Sequence, residues 1–109
     1  MSLTKNGVIN NLVPTEFYLS QNYPNPFKEK TTIKYCVPYK TKVRITVFNS
    51  EGVVVEVLVD EDKKPGTYEV KFSASNCHSG EVRNLTTGEY HFSLEAGEYK
   101  NKKKMFLQN

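Results

Sequence analysis

Thr31–Val37, TTIKYCV, and Lys42–Phe48, KVRITVF, decide the fold of this chain. In the first, Ile33, Tyr35 and Val37 alternate with Thr32, Lys34 and Cys36. In the second, Val43, Ile45 and Val47 take the inward parity. A period of two with β-branched and aromatic residues on one side is the signature of a half-buried strand. Asn49-Ser50-Glu51-Gly52 reads as a turn into Val53–Val59, so the second strand opens a hairpin. Glu61-Asp62-Lys63-Lys64-Pro65-Gly66 reads as the next break, ending on a Pro-Gly turn signal. Tyr68, Val70 and Phe72 then alternate inward. A long link, Asn76 to Gly88, leads to Tyr90, Phe92 and Leu94, which repeat the pattern. Ala96-Gly97-Glu98 turns into a last strand, Tyr99–Leu107. With a first strand around Tyr18–Gln21, the expectation is all-β: an immunoglobulin-like two-sheet sandwich of about seven strands. Tyr35, Phe72, Tyr90 and Phe92 fall at its core positions, each worth roughly 1.5–3 kcal/mol when buried. The antibody pattern of a tryptophan bracketed by two cysteines is absent from this tryptophan-free sequence.

Upstream of these strands lies Phe17–Phe27, FYLSQNYPNPF. Asn25 sits between Pro24 and Pro26, and Tyr23 and Phe27 flank the unit. Each proline fixes its own φ and holds the residue before it out of the helical region, so Tyr23 and Asn25 are both extended. The segment is a stiff ribbon with four aromatic anchors, Phe17, Tyr18, Tyr23 and Phe27. Two roles are open to those rings: stapling the ribbon over a sheet edge, or meeting a partner.

This stretch resembles the opening of the C-terminal sorting domain of cargo proteins of the type IX (Por) secretion system, whose pattern runs roughly Tyr-x-Leu-x-Gln-Asn-Tyr-Pro-Asn-Pro-Phe. The resemblance continues in order through Thr31, Ile33, Tyr35 and Pro38. It then runs through Val43, Ile45, Val47, Phe48 and Gly52, and through Leu58, Gly66, Tyr68 and Phe72. It closes on Gly88-Glu89-Tyr90, Leu94, Gly97 and Lys103-Lys104-Met105, spanning Phe17 to Leu107. The link Asn76–Gly88, with Cys77-His78-Ser79-Gly80, is longer than the family's turn. It is more similar to the immunoglobulin-like domain of the flagellar hook-capping protein.

The resemblance implies a non-catalytic module that directs a larger cargo protein across the outer membrane. Its implied partners are a fused upstream cargo domain, the outer-membrane type IX translocon and a sortase-type surface protease. The implied localisation is the periplasm in transit, then the cell surface or the medium. Carried over by motif, the candidate recognition residues are Tyr23, Pro24, Asn25, Pro26 and Phe27, then Gly66 and Gly97, then Lys103, Lys104, Met105 and Leu107. The candidate processing region is Val13, Pro14, Thr15 and Glu16, where exposed backbone and a proline suit a protease. Residues 1–14 are expected to be linker or an added remnant, and residues 15–109 the sorting domain. Alternatives from other classes are a structural module of the hook-capping type and an adhesion or carbohydrate-binding module, which would want aromatics exposed on one sheet face.

Composition sets bounds of its own. At 109 residues, 38% hydrophobic and 12% aromatic, the chain is one globular domain with one modest core. No apolar run approaches the roughly 20 residues needed to span a bilayer as a helix. Residues 1–11 lack a basic start followed by an apolar block, so a larger exported parent is expected to carry the export signal. The net charge of +3 is concentrated in Lys100, Lys102, Lys103 and Lys104. Lysines on an edge strand discourage strand-to-strand association. A nucleic-acid face would want clustered arginines and stacking aromatics, whereas the two arginines here, Arg44 and Arg83, lie far apart; no nucleic acid is expected.

No chemistry is expected either. Cys36 alternates outward and Cys77 lies in the link; a disulfide between them needs Cα atoms within about 7 Å. Cys36, Cys77, His78 and His91 offer no Cys-x-x-Cys or His-x-x-x-His spacing for zinc. His78 next to Ser79 lacks an identifiable orienting carboxylate, and His91 alternates out from Tyr90 and Phe92. Gly66, Gly88 and Gly97 are isolated turn glycines and not a phosphate-cradling run. The sequence therefore predicts no enzyme, no metal and no cofactor.

Overall fold

A computed structural model gives the fold. It describes residues 14–108 apart from 79 and 80, and for 75–78 and 81–84 the backbone alone. The strands are β1 (Tyr18–Leu19), β2 (Lys30–Val37), β3 (Thr41–Asn49), β4 (Val54–Lys63), β5 (Gly66–Ser73), β6 (Ser75–His78), β7 (Glu81–Asn84), β8 (Gly88–Ala96) and β9 (Tyr99–Leu107). Seven of them form two antiparallel sheets, β1-β2-β5 and β4-β3-β8-β9, while β6 and β7 pair as a separate hairpin. The expected immunoglobulin-like sandwich is the observed one. The Asn76–Gly88 link differs from the expectation, because most of it is the β6–β7 hairpin.

Alternation builds the core between the sheets. Ile33, Tyr35 and Val37 of β2, Val43, Ile45 and Val47 of β3, Phe72 of β5, and Tyr90, Phe92 and Leu94 of β8 are all buried. Tyr68 and Val70 pack against this cluster from half-buried positions. The Tyr90 hydroxyl donates to the Thr86 carbonyl at 2.7 Å. A tyrosine near the start of this strand bonding back to the upstream backbone is a recurrent corner device of immunoglobulin-type sandwiches.

β4 departs from a simple reading of Val53–Val59. Opposite β3 its register slips between Ile45/Thr46 and again between Val47/Phe48. Two bulges let a nearly continuous apolar run serve a half-buried strand: Val55, Leu58 and Val59 pack on the core, while Val53, Val54 and Val57 face out. The strand also continues through Glu61-Asp62-Lys63, expected to be a break. At a sheet edge Glu61 and Asp62 stay solvated, Lys63 lies over the Tyr68 ring at 5.1 Å, and the Lys63–Glu61 (2.7 Å) and Lys42–Asp60 (3.6 Å) pairs accompany them. Only Lys64 and Pro65 separate β4 from β5, so Gly66 is the first residue of a strand, buried opposite Val37.

Two turns behave as read. Asn49 Oδ1 accepts from the amides of Glu51 and Val53, and Gly52 takes φ +85° in the same turn. The two-residue loop between Ala96 and Tyr99 puts Gly97 at φ +61°, which the favoured hairpin turns require at that position.

Candidate functional site

The residues singled out at the two ends of the sequence meet in space. After β1 the chain runs as a ribbon between the stretch of β2 that two-residue β1 leaves unpaired and β9, the edge strand of the other sheet. On the β2 side, the Ser20 amide donates to the Lys34 carbonyl, and Tyr23 and Thr32 exchange two backbone hydrogen bonds of 2.9 Å each. On the β9 side, Gln21 Nε2 donates to the Lys104 carbonyl at 2.5 Å. Asn25 Oδ1 accepts from the Phe106 amide at 2.9 Å. The Phe27 amide donates to the Phe106 carbonyl at 2.9 Å, and the Gln108 amide to the Phe27 carbonyl at 2.8 Å. The ribbon is thus a seam joining the open side of the sandwich.

Each ribbon residue contributes a different interaction. Phe27 is fully buried, edge-on to Phe72 with ring centroids 6.0 Å apart. Asn22, 2% exposed, is the organising polar group. Its Nδ2 donates to Thr31 Oγ1 at 2.9 Å and to the Pro24 carbonyl at 3.1 Å, and its Oδ1 accepts from Gln21 Nε2 at 2.8 Å. Thr31 Oγ1 donates in turn to the Pro24 carbonyl at 2.8 Å. Such a network satisfies a buried amide that would otherwise be costly. Tyr23-Pro24 and Asn25-Pro26 are both cis peptides, which set the path of the ribbon. The four aromatic anchors separate into two pairs. Phe27 is core and Phe17 stacks on Tyr99 at 4.9 Å, so these two staple the segment. Tyr18 and Tyr23 remain exposed, at 55% and 80%.

β9 carries its charges by parity. Lys100, Lys102, Lys104 and Phe106 are exposed; Met105 and Leu107 are buried. Lys103 takes the inward parity and is half-buried, and an inward-pointing charge near a sheet edge is a known block to strand addition. Lys102 Nζ lies 5.5 Å from the centre of the Phe48 ring, a cation–π contact. Opposite Lys104 in the β8 register stands His91, whose Nε2 is 2.7 Å from Glu89 Oε2. That hydrogen bond, with the charges of Lys104 and His91 adding to it against some desolvation, holds the Glu89 carboxyl below its ordinary range.

The candidate recognition residues thus fall into three places. Tyr23 to Phe27, Lys103, Lys104, Met105 and Leu107 share the seam. Gly66 lies at the start of β5, and Gly97 in the β8–β9 turn. Pro14, Thr15 and Glu16 precede the seam, with Thr15 and Glu16 exposed; Val13 lies outside the described residues. Gln21, Asn22 and Thr31 organise the seam although the sequence reading gave them no role there. Their advance signal was their place in the family pattern, whose Gln-Asn falls on Gln21 and Asn22 and whose next run opens on Thr31.

Cys36 Sγ lies 3.5 Å from Thr67 Oγ1. The side chains of Cys77 and His78 and the whole of Ser79 lie outside the described residues. Among the described residues, no three histidine, cysteine, aspartate or glutamate side chains are grouped to hold a metal ion. No helix among them is long and apolar enough to cross a membrane.

Comparison with curated proteins and with solved structures finds no match. The family model of the secretion system C-terminal sorting domain, the type IX export tail, matches residues 21–108. The match begins at Gln21, where the ribbon first bonds β9, and ends one residue past β9. With both ends of the seam inside that span, the chain belongs to the secretion system C-terminal sorting domain family.

Proposed function

We propose that this domain marks an upstream cargo for passage across the outer membrane by type IX secretion, and that the translocon reads it as a folded module. The seam is the observation that supports this reading. It joins the motif-bearing ribbon to the lysine-rich last strand, so two segments distant in sequence become one rigid surface. A preorganised surface spares a partner the entropic cost of ordering it. Tyr23 and Lys104 would make contact, with Lys103 beside them. Pro24, Asn25, Pro26, Phe27, Met105 and Leu107 would hold that surface in shape, with Gly66 opening β5 and Gly97 setting the β8–β9 turn behind it. A sortase-type protease would cut within Val13–Glu16, ahead of the seam, leaving the folded domain intact. The domain itself would carry out no catalysis. A structural module of the hook-capping type is a second reading, favoured by the β6–β7 hairpin in the link.

An export assay tests the proposal. Residues 15–109 are fused behind a periplasm-directed fluorescent protein in a type IX-competent bacterium. A second fusion carries Lys100→Glu, Lys102→Glu and Lys104→Glu, all exposed, and its folding is checked by thermal melting. Surface or medium fluorescence with the first fusion and periplasmic retention of the folded second one is the expected result. Retention of both, with the domain folded, overturns the proposal in favour of the structural module.

A further inference from the structure

The outer face of the β1-β2-β5 sheet carries an arrangement of which the sorting reading uses only Tyr23. Directly opposed residues on antiparallel strands point to the same face. Tyr18 opposes Cys36, which opposes Thr67; Tyr23 opposes Thr32, which opposes Lys71; between these rows Lys34 opposes Glu69. Thr32, Lys34 and Cys36 are the β2 residues that alternate away from the core. The two exposed tyrosines of the N-terminal segment, Tyr18 and Tyr23, therefore stand on this one face. Their rows lie four residues apart along β2, about 13 Å at the rise of a strand. This is a sheet face with aromatics exposed on it, the feature that a carbohydrate-binding module would want.

From the Tyr23 row to the Lys34–Glu69 row runs an open groove of about 480 Å³, walled by Ser20, Gln21 and Tyr23, with Thr32, Lys34, Glu69 and Lys71 along its floor. The two backbone hydrogen bonds between Tyr23 and Thr32 fix the Tyr23 backbone to the sheet, from which the exposed ring projects. Lys34 and Glu69 form a loose pair at 3.8 Å, each about half exposed. Lys71 has no ion-pair partner among the described residues. No aliphatic side chain lines the groove.

We propose that this face binds a glycan chain, with Tyr23 as the stacking platform and Tyr18 as a second contact farther along. A sugar presents weakly positive C–H groups on its ring face and hydroxyls at its rim. The first suit the negative face of an aromatic ring. The second suit a floor offering both donors, Lys34, Lys71 and Thr32, and acceptors, Glu69 and Thr32. A peptide is the poorer fit, because the core of a protein interface is depleted of charge and this floor is mostly charged. Two lysines against one glutamate favour chains bearing uronate carboxylates over neutral ones.

The absence of tryptophan makes tyrosine emission a direct reporter. The full chain is titrated with a mannuronate hexamer, with cellohexaose as the neutral glycan, and with hexaglutamate as an acidic peptide. Saturable binding of the uronate hexamer, with weaker or no binding of cellohexaose, is expected. Tyr23→Ala should weaken it about tenfold or more, as removal of a central aromatic anchor does. Lys71→Ala should weaken the uronate alone. Phe106→Ala, an exposed aromatic on the other sheet, should leave binding unchanged. Thermal melting checks each variant's fold. No saturable response to either glycan overturns the proposal, as does a response that survives in folded Tyr23→Ala. Binding of hexaglutamate while both glycans are silent would assign the face to an acidic protein partner instead. Export plays no part in these readouts, so the glycan site and the sorting signal stand or fall separately.

Discussion

Asn25 and Phe106 lie 81 residues apart in sequence and are joined by one hydrogen bond, the Phe106 amide donating to Asn25 Oδ1 at 2.9 Å. The side chain stands in for a neighbouring strand at a place where the sheet has none. The next ribbon residue but one, Phe27, then takes over with backbone bonds on either side of Leu107, donating to the Phe106 carbonyl and accepting from the Gln108 amide. The N-terminal ribbon and C-terminal strand consequently stabilise each other, and neither end is ordered by local sequence alone.

Asn25→Ala removes the acceptor and should cost about 1 kcal/mol, the net worth of an ordinary hydrogen bond whose donor can turn to water. Asn25→Asp keeps the oxygen and should stay close to the parent. Urea denaturation gives the difference, and hydrogen exchange should show the loss concentrated at the Phe106 amide.

Asn22 should be far less tolerant. Its amide makes three hydrogen bonds while 2% exposed. Asn22→Ala leaves Thr31 and the Pro24 carbonyl with fewer partners, and an unsatisfied buried polar group costs roughly 1–3 kcal/mol. Asn22→Asp should be as harmful, since an acceptor then faces the Pro24 carbonyl. A double-mutant cycle with Thr31→Val should show strong coupling between the two positions.

How much of this was legible depended on the distance over which each feature is determined. The core positions of β2, β3 and β8 could be read because alternation is a property of a few adjacent residues, and Val43, Ile45 and Val47 are buried as their parity required. The Asn49–Gly52 turn could be read for the same reason. The β4 bulges could not, because in Val53–Val59 nearly every residue is apolar and no parity marks where a residue is added. The extension through Glu61-Asp62-Lys63 was hidden by charge, which a solvated edge tolerates. At the seam, the two prolines announced a rigid ribbon but not its place: the partners of Gln21 and Asn25 lie 83 and 81 residues away. Only the family resemblance placed both ends in one functional unit.

Met105 and Leu107 are core residues as well as part of the family's closing motif. Met105→Ala should destabilise by about 2–5 kcal/mol through the cavity it leaves. Deleting residues 102–109 removes both side chains and the strand that the ribbon holds, so the deletion should unfold the domain. Circular dichroism of that truncation should show loss of the cooperative transition. Its failure in export would then report on folding, whereas the charge reversals at Lys100, Lys102 and Lys104 report on the surface.

The Glu89–His91 pair offers a pH test with a defined sign. A carboxyl held low in the folded state contributes stability above its unfolded value and loses it as pH falls through the folded one. His91→Ala removes the hydrogen bond that is the largest cause and should move the Glu89 titration upward, toward the ordinary carboxylate range. Lys104→Ala should move it in the same direction by less. Carboxyl carbon shifts across an acid titration would measure both.

Tyr35 sets the opposite, alkaline limit. Burial, helped by the neighbouring Tyr68 ring and Glu61, pushes its phenol from 10.0 up to about 12. The two rings stack at 5.4 Å, so a phenolate at Tyr35 would form beside an ionisable neighbour within a packed core. An acid whose folded value is raised contributes stability fully below its unfolded value, near pH 10, and loses it as pH climbs through the folded value. The melting temperature should therefore decline across that window, and Tyr35→Phe should flatten that part of the decline. Phenolate absorbance of the folded protein should show a tyrosine ionising well above 10.0, and Tyr35→Phe should remove that step. If Tyr35 ionised near 10.0 while the fold persisted, its phenol would have to be reached by water.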